Sequence, residues 1–385
     1  MKIKLLYISP SFYPATRYGG PIFSTFNTCR ELSKLDVDLD IHTTNANLTS
    51  KLDVSTVLPT ILPEMNNVCV NYHDDLIINR LSPSLLLEIF RRSKLCSIIH
   101  TQSVYSIPTP ISIFSAYFYR KNVVVSPRGS LGDWCMKKRN LFKRLWLFLF
   151  FRPFINRIYW HVTAKSEADE VIEHFPNVKR DHILVIPNGI EKKDRQFLDK
   201  ATLLTKLGLK FSSDYIVSSG RIDRKKGFDY TIKALEKVEK LHLVIMGADY
   251  GEMQELIDLA SELNISDRVH FVGHLEDDLK WSLYHHSRLF VLNSRHENFG
   301  NVYLEALSVG VPIIASNHTP WGFINGTGAG LCVENTPESI ASSIEEIISN
   351  SGFSSCKCIS VASMFYWEEI AKKFKEEYER IIYDN

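Results

Sequence analysis

The sequence predicts an α/β protein built from two doubly wound domains. Short apolar runs bounded by turn residues alternate with stretches of helical periodicity, which is typical of parallel sheets flanked by helices. This alternation occurs twice along the chain. The length of 385 residues gives each series enough chain to bury a core of its own.

The predicted strands fall into two groups of five. The first group comprises residues 3–9, 39–45, 97–102, 122–127 and 158–164, and the second comprises 214–220, 241–247, 269–273, 289–293 and 311–316. Pro187, Asn188 and Gly189 form a turn between the groups, so we place the domain boundary near residue 190.

Two helices are predicted after the second group, over residues 338–349 and 367–385. In the terminal helix, apolar side chains recur at helical spacing and require a surface to cover. These side chains are Ile370, Phe374, Tyr378 and Ile381.

The composition excludes several classes of protein. Charged residues make up 23% of the chain and the net charge is +1, which gives no reason to expect a nucleic-acid partner. The seven cysteines have no C-x-x-C spacing, so we expect neither a disulfide framework nor a zinc site, and a reducing compartment fits best. The N-terminus reads as a β-strand rather than a signal peptide, and the apolar run 145–151 is too short to span a bilayer.

The segment 294–316 carries the first chemical signal. A strand leads into a polar loop, and a helix begins after Gly300, which places Glu297 and Glu305 near the carboxyl edge of a parallel sheet. The main-chain N–H groups of Gly300, Asn301 and Val302 could bind a diphosphate there. Carboxylates would repel phosphates but can accept hydrogen bonds from the hydroxyls of a diol. The alternative is a solvated helix start with Glu in favourable places.

A second signal lies in residues 218–230, where Arg221 and Lys226 flank a turn between a strand and a helix. Two cations at this edge could neutralise a diphosphate without a metal ion. A basic turn alone is usually a solvated loop, but both segments belong to one predicted sheet edge, which favours a binding site. The Asp36-x-Asp38-x-Asp40 run reads as a polar turn before a strand, so no metal ligands are predicted.

In the first domain, Gly19 and Gly20 precede a helix and would allow a ligand to approach the backbone closely. The pair is a weak signal, because it does not form the G-x-G-x-x-G pattern of dinucleotide-binding folds.

Taken together, these motifs resemble the retaining nucleotide-sugar glycosyltransferases of the GT-B fold, specifically glycosyltransferase family 4. The resemblance covers essentially the whole chain. It rests on the Glu-x7-Glu motif from Glu297 to Glu305, the Gly-Arg-x4-Lys-Gly turn at 220–227, Gly247, the turn at 271–273, Gly19-Gly20 and the terminal helix with Trp367.

The resemblance implies two Rossmann-like domains facing a cleft. Residues 1–190, together with the terminal helix 363–385, would form the acceptor-side domain, and residues 191–362 would bind the nucleotide sugar. The terminal helix would cross back to the first domain. Glu305 would hold the ribose hydroxyls, Glu297 the donor sugar, and Arg221 with Lys226 the leaving diphosphate. The remaining donor-binding residues implied are Gly19, Gly20, Gly273, Phe299, Gly300, Asn301 and Val302.

The sequence departs from the family at one position. Relatives commonly carry a His after the strand that corresponds to 122–127, where this chain has Arg128. Arg stays protonated and cannot act as a general base, but it could still bind the sugar or a phosphate. His100, at the end of another strand, is the other candidate, and we rank Arg128 above it.

The excess positive charge of the first domain is concentrated in residues 120–160, which hold ten Lys or Arg and a single acidic residue, Asp133. In 137–157 the basic side chains alternate with Phe and Trp, a pattern suited to an anionic membrane surface. A second interpretation, compatible with the first, is a helix at 145–151 buried against the sheet with its flanking charges solvated.

We therefore expect a metal-independent hexosyl- or related glycosyltransferase that needs no cofactor. It would move a sugar from a UDP- or GDP-sugar to a lipid-linked saccharide at the inner face of a bacterial cytoplasmic membrane, in synthesis of O-antigen, capsule or exopolysaccharide. The alternatives are a nucleotide-sugar 2-epimerase of the same fold and a non-catalytic subunit that binds sugar nucleotides.

Overall fold

A computed structural model describes residues 2–48, 50–55, 59–65, 68–76, 80–132, 135–136 and 140–383. The chain divides into two compact units. The first unit comprises Met1–Asn188 with Trp367–Asn385, and the second comprises Gly189–Tyr366.

Within the described residues, the first unit is built on a mostly parallel sheet of eight strands in the order β10-β9-β8-β7-β1-β2-β6-β5, in which only β5 runs antiparallel to its neighbour. The strands of this unit are β1 Ile3–Ser9, β2 Val37–Thr44, β3 Ala46–Asn47, β4 Ser50–Lys51, β5 Thr60–Ile61, β6 Cys69–His73, β7 Ile98–Gln102, β8 Val123–Ser126, β9 Ile158–Val162 and β10 Ile183–Val185. The helices described in this unit before the second unit are α1 Gly20–Leu32, α2 Pro83–Ser93, α3 Pro108–Phe118, α4 Asn140–Phe150 and α5 Lys165–His174.

The second unit has a six-stranded sheet, parallel throughout, in the order β13-β12-β11-β14-β15-β16. Its strands are β11 Tyr215–Ser219, β12 His242–Met246, β13 Val269–Phe271, β14 Phe290–Leu292, β15 Ile313–Ser316 and β16 Gly330–Val333. Its helices are α6 Lys200–Lys206, α7 Phe228–Glu236, α8 Met253–Glu262, α9 Asp277–His285, α10 Asn301–Ser308, α11 Pro337–Ser349 and α12 Ser355–Ser363.

The terminal helix α13, Trp367–Tyr383, belongs to the first unit. The four apolar positions read from its sequence are all buried in a core that also contains residues of β1 and β2. Burial of this face explains why the helix forms although it follows the second unit in the chain.

The α/β class with parallel sheets is confirmed. In the second unit the chain turns to the opposite side of β11 when it reaches β14, and this reversal of strand order creates a crevice at the carboxyl ends of the two strands. Four described strands of the two large sheets have no counterpart in the sequence prediction: the antiparallel strand β5 and the parallel strands β6, β10 and β16. Within the described ranges, no helix combines the length and apolarity that spanning a membrane requires.

Candidate functional site

The turn after β11 is held against the turn after β12 by a pair of glycines. A Cβ atom on Gly247 would overlap the carbonyl oxygen of Gly220, so a side chain at 247 would push the two turns apart. The Ile222 N–H donates to the Ala248 carbonyl at 2.8 Å and continues this contact. The sequence therefore fixes the path of the Arg221–Lys226 segment through a requirement for close backbone approach.

The same segment also docks on the loop that follows β14. Gly227 ends a 3-10 turn in the left-handed conformation, φ 67°, and a Cβ atom there would overlap the Asn293 carbonyl. Arg295 reaches back across this contact: its main-chain N–H donates to the Lys225 carbonyl at 2.8 Å, and its guanidinium pairs with Asp229 at 2.8 Å. The two segments that the sequence marked as functional thus lie side by side.

Glu297 and Lys226 form an ion pair at this junction. Lys226 Nζ donates to Glu297 Oε1, and Ser294 Oγ donates to the same oxygen at 3.1 Å. The two side chains are only 14% and 11% exposed. The lysine therefore compensates a carboxylate that would otherwise repel an incoming phosphate.

Gly300 sets the start of the helix that follows Glu297. Its φ of 81° is left-handed, and a Cβ atom there would lie 2.6 Å from the Tyr303 ring. Asn301 and Val302 form the first turn of α10, so the N–H groups of a helix N-terminus lie at the same sheet edge as Lys226.

Glu305, on the second turn of α10, is held by two side chains of α9. Lys280 Nζ donates to Oε1 at 2.7 Å and the Tyr284 hydroxyl donates to Oε2 at 3.2 Å. Burial and the nearby Glu305 carboxylate raise the pKa of Tyr284 well above its usual range, so the phenol stays a neutral donor. Sequence reasoning missed both partners.

Arg195 is a third side chain that the sequence did not reveal. Its guanidinium stacks 3.8 Å from the ring centroid of Trp281, beside Lys280. Burial lowers the pKa of Arg195, while the carboxylates of Glu191 and Glu305 act against this shift. Since Arg remains protonated, the surroundings of Glu305 are cationic on balance.

Three further predicted residues of the second unit have different environments. Arg221 is 61% exposed and lies near Asp223 and over the Tyr250 ring. Gly273, with φ 70°, follows β13 and accepts from the Gly247 N–H at 2.8 Å. The Phe299 side chain is buried among Trp321 and Phe365, so it serves the core and offers no surface to a donor.

In the first unit, Arg128 follows β8 with a left-handed φ of 53°. Its Nε donates to Gln102 Oε1 at 2.9 Å and one terminal nitrogen donates to Asn188 Oδ1 at 3.0 Å. Gly19, φ 72°, caps α1, which begins at Gly20. Gly19 and Gly20 follow β1 in the chain, and β1 belongs to the same sheet as β8.

His100 has a structural environment. Its Nδ1 lies 2.6 Å from the Tyr378 hydroxyl and its Nε2 lies 2.7 Å from Ser126 Oγ, which in turn contacts His161. Burial, followed by His161 and Arg128, holds the pKa of His100 well below its usual range, so the ring is neutral. Both ring nitrogens are therefore occupied by partners within the core.

The three aspartates before and within β2 do not assemble into a cluster. Asp40 pairs with His42 at 3.0 Å and with Arg92 at 3.7 Å. Across the ranges that the structure describes, no group of three or more His, Cys, Asp or Glu side chains could hold a metal ion.

Helix α4 carries the aromatic and basic segment of the first unit. Leu147 and Phe151 are buried, but most of the run 145–151 is exposed, so the interpretation as a helix buried against the sheet is wrong for most of its length. The exposed apolar side chains of α4 are Leu141, Phe142, Leu145, Phe148, Leu149 and Phe150. Arg144 and Arg152 are also exposed. Lys137, Lys138 and Arg139 lie outside the described residues.

Two family models match the chain. The model for Glycosyltransferase Family 4 matches residues 18–194, and the model for Glycosyl transferases group 1 matches residues 199–361. An uncharacterized glycosyltransferase of Methanocaldococcus jannaschii is 30% identical over 224 residues, covering 54% of this chain and 57% of that protein. The O-antigen biosynthesis glycosyltransferase WclY of Escherichia coli is 26% identical, covering 60% of this chain and 57% of that protein. The matches thus span about half the length of these curated relatives.

The fold is shared with solved glycosyltransferase structures. HepE of Anabaena, in complex with UDP and glucose, superposes with a TM-score of 0.73 at 17% identity, covering 98% of this chain and all of that one. At this level of identity the likeness establishes the fold, two Rossmann-like domains of the GT-B type.

Proposed function

Because the chain belongs to the group 1, family 4 glycosyltransferases of the GT-B fold, we propose that it transfers a sugar from a nucleotide diphosphate sugar to a saccharide acceptor. The observation that carries this proposal is the pairing of each Glu-x7-Glu carboxylate with a lysine at one sheet edge. Two neutralised carboxylates suit a ligand that combines hydroxyl groups with a diphosphate. The complex of HepE with UDP and glucose supports a nucleotide-sugar donor.

We propose that the chemistry is stabilisation of the leaving diphosphate. As the bond from the sugar anomeric carbon to the phosphate oxygen breaks, negative charge develops on that oxygen. We assign the stabilisation of this charge to Lys226, Arg221 and the N-terminus of α10. The acceptor oxygen forms the new bond on the same face of the sugar and its proton passes to the departing phosphate, so the anomeric configuration is retained.

The activity test is product analysis with purified protein. UDP-, GDP- and CMP-sugars are first titrated to find the donor, which is then incubated with a lipid-linked saccharide. We expect free nucleotide diphosphate and a glycoside whose anomeric configuration, read by NMR, matches that of the donor. An epimerised nucleotide sugar, or an unchanged donor that is bound but never consumed, would contradict the proposal.

We propose that Arg221 and Lys226, the two cations at the 220–227 turn, make a metal ion unnecessary. Transfer should then proceed at an unchanged rate in EDTA. A loss of activity on chelation that magnesium or manganese restores would show that the cations of the 220–227 turn do not suffice.

We further propose that α4 holds the first unit against an anionic membrane, where a lipid-linked acceptor would be available for synthesis of a bacterial surface polysaccharide. The relationship to WclY supports such a pathway. An exposed apolar face beside Arg144 and Arg152 suits a lipid interface, and each cation near an anionic surface contributes about 1 kcal/mol.

Vesicle sedimentation tests this placement on the membrane. The wild type should pellet with vesicles that contain anionic lipid and should be released near 1 M salt, where the Debye length falls to ~3 Å. Arg144→Gln with Arg152→Gln should weaken pelleting, and adding Leu145→Ser and Phe148→Ser should abolish it. Lys206→Gln with Lys210→Gln, two exposed lysines of the second unit, is the matched control. Undiminished pelleting of the fourfold variant would contradict the proposal.

A further inference from the structure

Lys280 and Tyr284 donate hydrogen bonds to Glu305, and neither residue belongs to the motifs on which the family resemblance rests. We infer that Lys280 and Tyr284 position the Glu305 carboxylate so that it accepts from both hydroxyls of a ribose, and thereby set a preference for ribonucleotides over deoxyribonucleotides. The inference rests on the proposed function, in which Glu305 binds the ribose of the donor, and it extends that function to two positioning residues.

The hydrogen-bond geometry leaves two acceptor positions on Glu305. A carboxylate has two oxygens with about four lone-pair directions. Lys280 occupies one on Oε1 at 2.7 Å and Tyr284 occupies one on Oε2 at 3.2 Å. One direction therefore remains on each oxygen, and two adjacent acceptors match the two vicinal hydroxyls of a ribose. The Glu305 side chain is 18% exposed, so it is open to a ligand on one side.

Both partners are held by packing. Tyr284 is fully buried, with its ring 5.7 Å from Phe290, which packs in turn against Tyr303 of α10. The Lys280 ammonium lies 4.8 Å from the Trp281 ring centroid as well as against the carboxylate. The two residues are four positions apart on α9 and so project from one face of the helix. Because Lys280 and Tyr284 are themselves fixed, they restrict the rotamers of Glu305 before a ligand arrives. Less side-chain entropy is then lost when a ribose binds.

The charge of Lys280 has a second consequence. A carboxylate that accepts from a ribose lies within the same ligand as the diphosphate, and an unpaired one would repel it. With Lys280 in place, Glu305 can accept two hydroxyls at little electrostatic cost. Removing Lys280 should therefore also weaken binding of the diphosphate, equally in ribonucleotides and deoxyribonucleotides, so the effect on positioning is read from the ratio of their affinities.

The test compares ribose discrimination among variants. Affinities for UDP, 2′-deoxy-UDP and 3′-deoxy-UDP are measured by calorimetry, and the guanosine series replaces them if the wild type binds GDP instead. We expect the wild type to bind the ribonucleotide about tenfold or more tightly than either deoxy analogue, because each lost bond is made to a charged acceptor. In Lys280→Met this ratio should fall to about threefold or less, and in Tyr284→Phe it should fall in the same direction by a smaller factor.

Two further variants separate positioning from a general effect of charge or stability. Lys280→Arg should restore most of the discrimination, because a guanidinium can reach the same oxygen. Lys237→Met removes a lysine that pairs with Glu338 at 3.2 Å beyond the C-terminal end of α7, and it should leave the ratio unchanged. If Lys280→Met fails to fold, Lys280→Gln and Tyr284→Phe give the same comparison.

The possible outcomes separate a failure of the positioning roles of Lys280 and Tyr284 from a failure of the proposed function. A wild type that discriminates while Lys280→Met and Tyr284→Phe discriminate equally well overturns the inference and leaves the role of Glu305 standing. A wild type that binds UDP but does not distinguish the deoxy analogues removes the ribose assignment of Glu305 itself. Binding of neither UDP nor GDP by the wild type contradicts the proposed donor.

Discussion

The two carboxylates of the Glu-x7-Glu motif, Glu297 and Glu305, each pair with a lysine, but the two pairs are held by different kinds of element. Glu297 lies on a loop between β14 and α10, and its partner Lys226 ends a 3-10 turn just before a left-handed glycine. Glu305 and both of its partners lie within helices. A lysine on a turn can transfer its contact from Glu297 to an arriving phosphate, whereas the helical set can serve as a fixed template. Similar chemistry thus supports charge stabilisation at one site and recognition at the other.

The largest effect is expected at Lys226. Lys226→Met removes the charge-assisted contact that we propose to the leaving diphosphate. Such a contact is typically worth about 1.5–3 kcal/mol, so turnover should fall by roughly ten- to a hundredfold. Affinity for the free nucleotide should change less, because the contact is strongest as charge develops in the transition state. Steady-state kinetics measure both quantities. Lys225→Met, at the neighbouring position of the same turn, is the control. Equal losses of turnover in the two variants would contradict a specific role of Lys226, and with it the difference in role between the Glu297 and Glu305 sites.

A smaller effect is expected at Gly300, where the loop that carries Glu297 meets α10. Gly300→Ala places a Cβ in a left-handed residue against the Tyr303 ring, which should cost about 1–2 kcal/mol of stability and shift Glu297. Transfer should then drop severalfold, with little change in nucleotide affinity.

Gly310→Ala provides the matched control for this experiment. Gly310 is also left-handed, φ 83°, but it follows the far end of α10 from Glu297. Its substitution should lower the thermal stability comparably while leaving transfer unchanged. Loss of transfer in both variants would show that general destabilisation, and not the position of Glu297, limits the rate.

Much of this comparison could be read from the sequence, and the part that could not has a physical reason. The Glu-x7-Glu and Arg-x4-Lys spacings lie on single strand–turn–helix segments, so local geometry predicts where their side chains fall. The partners Lys280 and Tyr284 lie more than twenty residues before Glu305, and only the packing of α9 beside α10 brings them together. Their spacing of four residues in a helical stretch was the one available signal.

The missed strands have a similar explanation. Cys69–His73 mixes polar and apolar residues, Ile183–Val185 is only three residues long, and Gly330–Val333 begins with a glycine. None of them forms the long apolar run that identifies a buried parallel strand. Their pairing with longer neighbours, rather than their own sequence, makes them strands. In α4 the apolar composition left open a helix buried against the sheet, and the fold instead leaves most of that apolar run exposed.

The smallest effect is expected at Arg221, the exposed member of the basic turn. Since its side chain is 61% exposed, solvent and salt screen its attraction to a phosphate. Arg221→Ala should raise the donor KM only a few-fold at low salt, and the difference should shrink as ionic strength rises. A loss as large as that of Lys226→Met, or one that salt does not alter, would show that Arg221 becomes buried against the donor.

The most direct test of the account is one calorimetric titration, in which UDP and GDP are added to the wild type, Glu305→Ala and Glu297→Ala. We predict that Glu305→Ala weakens binding of the preferred nucleotide by about tenfold or more, because hydrogen bonds from the ribose to a charged acceptor are lost. We predict that Glu297→Ala binds the same nucleotide nearly as the wild type does and is impaired in transfer. Equal affinity of the wild type and Glu305→Ala, or a larger binding loss in Glu297→Ala, would contradict the division of roles between the two carboxylates.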